Sequence, residues 1–164
     1  MAFAYFNRLS RAQQQIYLES DSVTAILLPG ASRFQHLVSA LQGALASEAP
    51  SRVQGATHAL LDQLTTALGV PRIRVEVLAV RPSRSWGELH GLYTRRGRGR
   101  PATITVWMRT ARHRKVVAFK TFLRTVLHEL CHHLDYEQLK LADSFHTEGS
   151  YKRESSLFHQ LMGA

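Results

Sequence analysis

The stretch Thr125-Val126-Leu127-His128-Glu129-Leu130-Cys131-His132-His133 decides how this chain is read. It sits inside a longer run, from about Val116 to Leu139, in which Phe119, Phe122, Leu123, Val126, Leu127, Leu130 and Leu134 recur at helical spacing. That period predicts an α-helix with one broad apolar face. His128 and His132 stand four residues apart, so both imidazoles leave one side of the helix about one turn apart. Two rings so placed can share a zinc ion at about 2.0–2.1 Å each. Glu129 points ~100° away round the helix. It reaches past such an ion and can take a proton from a bound water without being a ligand itself.

A catalytic zinc needs a third protein ligand and one open position. His146 is the first candidate, far enough after His132 for the helix to end and the chain to turn back. Ala142-Asp143-Ser144-Phe145-His146-Thr147-Glu148-Gly149 supplies the turn chemistry for that return. Glu154, from a following helix, is the second candidate and Glu148 the third. Asp135 returns to the face of His128. It either holds the far nitrogen of a ligand imidazole or is a solvated helix acid. His133 is expected to bond to backbone or solvent, and Cys131 to be a small core residue. Tyr93, Tyr151 and Arg153 are candidates to polarise a substrate carbonyl or steady an oxyanion.

Upstream, residues 8–20 read as a short helix with Ser10 as its cap. Ser32 is expected to cap a second helix carrying Phe34, Leu37, Val38, Leu41 and Leu45. Pro50 opens a third, with Val53, Ala56, Leu60, Leu61, Leu64 and Leu68 on one face and Gly69 ending it. The period then changes to two. Ile73, Val75, Val77 and Ala79 alternate as in a strand with one covered face. Glu88 to Thr94 and Ala102 to Met108 read as two further strands, paired as a hairpin across Arg95-Arg96-Gly97-Arg98-Gly99-Arg100-Pro101, a mobile basic loop by composition. A last helix is expected from about Tyr151 to Leu161. Helices, then three strands, then two helices make an α+β fold, since no helix separates the strands as a doubly wound sheet requires.

The chain has 164 residues, 45% of them apolar and 20% charged, which suits one domain with one core. Residues 1–69 are expected to form its helical part, and residues 70–164 its sheet and metal-binding core. Nothing approaches the ~20 apolar residues of a membrane span, and Met1 to Phe6 is too short an apolar run for a signal peptide. A single cysteine excludes an internal disulfide and predicts a reducing, cytoplasmic setting with no membrane partner. The formal charge is +9, and residues 81–120 hold eleven basic residues against one acid, a local +10. Such a stretch attracts polyanions, DNA or RNA first, with Arg95, Arg96, Arg98 and Arg100 as the contact residues.

Thr125 to His133, followed by Ser144-Phe145-His146-Thr147-Glu148-Gly149, resembles the SprT-like metalloprotease domains, which are small zincins with the HExxH motif. The likeness covers roughly residues 70–160. It implies a zincin-like fold, with the family's two helix ligands on His128 and His132, its general base on Glu129 and its third ligand on His146. Where the family pattern has an aromatic four residues beyond the third histidine, this chain has Ser150, with Tyr151 adjacent. No zinc-ribbon cysteines follow. Some relatives of that kind cleave proteins associated with DNA.

These readings predict a zinc-dependent metallopeptidase acting on a protein or peptide substrate. The strand near Thr103–Trp107 is expected to be the edge that receives the substrate as an added strand. Two alternatives stand beside it. One is a non-catalytic zinc-containing module that grips nucleic acid through the Arg-rich hairpin. The other is a metal-free adaptor in which the histidine helix is only packing.

Overall fold

The structure is a computed structural model, and it describes residues 2–163. Local capping chemistry sets most helix ends. Helix α1 (Arg11–Ser22) starts behind Ser10, whose hydroxyl accepts from the Gln13 amide while the Gln13 side chain accepts from the Ser10 amide. Helix α2 (Gln35–Ser47) departs from expectation. Gly30 takes a left-handed φ of 64° and leads into a tight 3-10 turn, Ala31–Phe34, so Ser32 lies inside that turn and caps nothing. Helix α3 (Pro50–Leu68) begins with proline at its first position and ends at Gly69 in the left-handed conformation, as its sequence predicts.

Five strands follow: β1 (Ile73–Val80), β2 (Ser83–Arg84), β3 (Gly87–Glu88), β4 (Gly91–Thr94) and β5 (Ala102–Arg109). The expected strand from Glu88 to Thr94 is two pieces. Gly87 and Glu88 pair back on Ser83 and Arg84, the Leu89 amide bonds to the Pro82 carbonyl, and β4 begins afresh at Gly91. The hairpin across the arginine-glycine loop is present, with Leu92 opposite Thr105 and Tyr93 opposite Ile104. Its loop is tied, not free. Gly97 and Arg100 exchange two backbone hydrogen bonds of 3.1 Å, Arg96 pairs with Glu137 at 2.6 Å, and Arg95 lies 3.9 Å over the Tyr136 ring.

The main sheet has the order β1-β5-β4. Strands β1 and β5 run parallel, Val75 opposite Ile104, and β4 is antiparallel to β5. The central position of β5 overturns the expectation that Thr103–Trp107 is an open edge, because both of its sides are already paired. The free edge nearest the histidines is β4.

Alternation along β1 and β5 buries Ile73, Val75, Ala102, Ile104 and Val106, while Arg74 and Glu76 stay exposed. Helices α3 and α4 cover that apolar face. Helix α4 (Phe119–Glu137) starts later than the hydrophobic run suggests. Val116 bridges to Arg109 and the Val117 amide bonds to the Met108 carbonyl, so the first apolar residues extend the sheet instead of opening the helix. Helix α5 (Glu148–Met162) starts earlier than expected, capped by Thr147 in a reciprocal box with Ser150. One contiguous core takes in Val38 and Leu41 of α2, Leu60 and Leu64 of α3, the inner strand residues, Phe122, Leu127 and Leu130 of α4, and Leu157 and Leu161 of α5. The helical N-terminal part and the sheet therefore share a single interior. Among the described residues no helix is long and apolar enough to cross a membrane.

Candidate metal centre

The buried face of α4 turns Val126, Leu127 and Leu130 into the core. This leaves His128 and His132 on its flank, facing a cleft of about 640 Å3 between α4 and β4. The chain beyond α4 folds back and brings His146 opposite them. Its Nε2 lies 3.2 Å from Nε2 of His128 and 3.1 Å from Nε2 of His132, and the three ligand atoms lie within 4.8 Å of one another. An ion with nitrogen bonds of about 2.0–2.1 Å in tetrahedral geometry holds its ligands roughly 3.3 Å apart. The observed contacts fall within a few tenths of an ångström of that spacing.

The partners of the far nitrogens decide what those contacts mean. Nδ1 of His128 lies 2.8 Å from a Glu154 carboxylate oxygen, which can only accept, so Nδ1 carries the proton. Nδ1 of His132 lies 2.7 Å from the Ser144 hydroxyl, which itself donates to Asp135 over 2.7 Å. That hydroxyl has spent its proton and accepts from His132. In the neutral rings both Nε2 atoms therefore present lone pairs to the cleft. His146 can donate to at most one of them, and a cation satisfies all three. The residues present fit a metal ion.

The charge states of His132 and His146 agree. Burial lowers His132 to about 3, helped by His128 and His146, and burial and His128 likewise lower His146. Both rings are thus neutral and ready to ligate. Burial works the same way on His128, but the Glu154 carboxylate on its Nδ1 and the nearby Glu129 outweigh it, and the net shift is upward. Glu129 is buried beside the histidines, and loss of water raises its carboxyl to about 7. Its neighbour across the cleft is Gly91, the first residue of β4. A Cβ there would fall 2.8 Å from Thr125 Cγ2 and 3.0 Å from Glu129 Oε1, so a glycine is what lets strand and carboxylate approach.

The other expected residues take up distinct places. Glu154 stands behind His128 and not beside the three Nε2 atoms. Glu148 pairs with Lys152 at the head of α5. Asp135 serves His132 through Ser144, not directly, and is also paired with Arg153 at 3.0 Å. Burial raises the Asp135 carboxyl, while Ser144 and Arg153 pull it back. His133 is fully buried and donates through Nε2 to the Pro71 carbonyl, so its Nδ1 accepts from the Tyr93 hydroxyl. Cys131 is buried in the core.

Of the three candidates for an oxyanion, Arg153 is only 1% exposed and spends its guanidinium on Ser20, Val23 and Asp135, which removes it. The Tyr93 hydroxyl is taken by His133. Tyr151 remains, half-exposed, with its ring 5.8 Å from His128 and 6.1 Å from His146. Ser144 is the functional residue that sequence reading missed. A serine in a turn carries no periodic signal, and only its place between Asp135 and His132 reveals it.

The basic stretch splits in space. Arg95, Arg96, Arg98 and Arg100 precede β5, whereas Arg112, Arg114 and Lys115 follow it. Eight extended residues separate the two groups by roughly 25 Å. Arg98 and Arg100 are exposed, and Arg95 stacks on Tyr136 at one end of the cleft. Matched against known proteins, the chain fits no family model, no curated protein and no solved structure.

Proposed function

We propose that this protein is a zinc-dependent metallopeptidase of the minimal zincin type, akin to the SprT-like domains that its motif resembles. The observation that carries the reading is the convergence of three imidazole Nε2 atoms, two with their lone pairs fixed, beside a buried carboxylate in an open cleft. Three convergent imidazoles, two of them held neutral by burial, suit zinc among the common ions. When bound, zinc would supply a water of lowered pKa and polarise the scissile carbonyl. Glu129 takes the proton of the attacking water and returns it to the leaving amine. The Tyr151 hydroxyl makes no hydrogen bond among the described residues and is the group left to steady the oxyanion. An extended peptide adds to the free side of β4 and runs past Glu129. The lone buried thiol fits a reducing, cytoplasmic setting.

The test is Glu129→Gln. Elemental analysis should find the same zinc content as in the wild type. Cleavage of an unfolded protein substrate should fall by about 10²–10⁴, the usual share of a general base. Dialysis against a chelator should abolish wild-type cleavage, and zinc should restore it. Wild-type cleavage by the Gln variant would end this reading.

A further inference from the structure

We propose that the N-terminal segment, residues 4–22, positions the third ligand, and that Tyr5 is the residue through which it acts on His146. The inference rests on the metal centre proposed above and assigns its loop side to a part of the chain remote in sequence. His128 and His132 are held by α4 and by partners on their far nitrogens. His146 has neither. It lies between α4 and α5, in a stretch with no regular structure, and its Nδ1 makes no hydrogen bond among the described residues.

Ser144 ties the start of that stretch to Asp135 and His132 of α4, and the contacts from Phe145 onward come from the other end of the chain. The Tyr5 hydroxyl donates to the His146 carbonyl. The rings of Tyr5 and Tyr17 pack against Phe145, with centroids 6.5 Å and 6.3 Å away. The Ser20 and Thr147 hydroxyls meet at 3.3 Å, and the Gly149 amide donates to Asp21 over 2.8 Å. Gly149 comes so close that a Cβ would fall 2.4 Å from the Asp21 carbonyl oxygen. Phe145, His146, Thr147 and Gly149 are thus each fastened to residues 5–21. Fixing a backbone residue costs conformational entropy. A loop already fixed when the ion arrives escapes that cost at the moment of binding.

The experiment compares full-length Tyr5→Phe with Tyr17→Phe, using zinc competed against a chromophoric chelator. Tyr5→Phe keeps its ring and loses only the bond to the His146 carbonyl. Tyr17→Phe loses a bond in the same segment, from the Phe3 amide, that does not touch His146. Tyr5→Phe should bind zinc about tenfold more weakly, the lower end of what outer partners of a metal site control. Tyr17→Phe should stay within about twofold, and the metal-free thermal midpoints of the two variants should agree. A role confined to His146 also requires that Tyr5→Phe change nothing further in a His146→Ala background. Wild-type affinity in Tyr5→Phe, an equal loss in Tyr17→Phe, or a persisting loss in the double variant each overturns the proposal and leaves the metal centre standing. A wild-type chain that takes up no zinc overturns both.

Discussion

The two sides of the histidine cluster are built on opposite principles. His128 and His132 inherit their spacing from the helix, and each far nitrogen meets a partner: Glu154 of α5 for one, and for the other Ser144 of the stretch before α5, backed by Asp135 of α4 itself. His146 inherits nothing from local geometry. Its place depends on contacts made across more than 120 residues of sequence. The spacing of the helix-borne histidine pair is therefore a local property of the chain, whereas the position of the loop-borne histidine is a property of the assembled fold.

That contrast can be strained from several sides. The largest effect should come from Arg153→Met. Arg153 joins the two sides, binding Asp135 behind His132 and the Ser20 and Val23 carbonyls at the end of α1. Its loss leaves a buried carboxylate unpaired, at a cost of about 3–5 kcal/mol in urea unfolding. A change below 1 kcal/mol would mean that Asp135 is not charged in the folded protein.

Gly91→Ala comes next. The nearest atoms that the new methyl group meets belong to Thr125 and Glu129. Turnover in the proposed reaction should fall about 10²-fold, as a displacement near 1 Å commonly costs, while zinc affinity stays unchanged. Equal losses in both would show that the carboxylate and the ligands move as one body. The smallest effect belongs to Glu154→Gln, which keeps an acceptor for His128 but removes the charge. Zinc should bind about tenfold more weakly, measured by chelator competition. Unchanged affinity would mean that the helix alone sets the pair.

The same local-against-assembled distinction governs how much the sequence revealed. Helices α3 and α4, strand β1 and the β4–β5 hairpin were legible because each buries one face and so writes its period into the chain. The parallel pairing of β1 with β5 was not, because it joins strands separated by the whole hairpin and leaves no local mark. The start of α5 was missed because its cap pairs Thr147 with Ser150, where the familiar box has Glu or Gln at that position. At the site, His128, Glu129 and His132 stood out as a motif, and His146 as the next histidine beyond a turn. Ser144 and Tyr5 did not, since a hydroxyl acquires its meaning only from what lies beside it after folding. Asp135 read equally well as partner or surface acid until Ser144 and Arg153 were seen on either side of it.

Cys131 offers a practical handle. Its thiol is buried in the core beneath α4, and burial raises its pKa well above the usual thiol range, so almost no thiolate forms at neutral pH. Alkylating reagents can reach it only when α4 parts from the packing beneath it. The native chain thus contains its own clock for opening: the rate at which this single sulfur is labelled reports how often the interior comes apart, with no probe added and no residue changed.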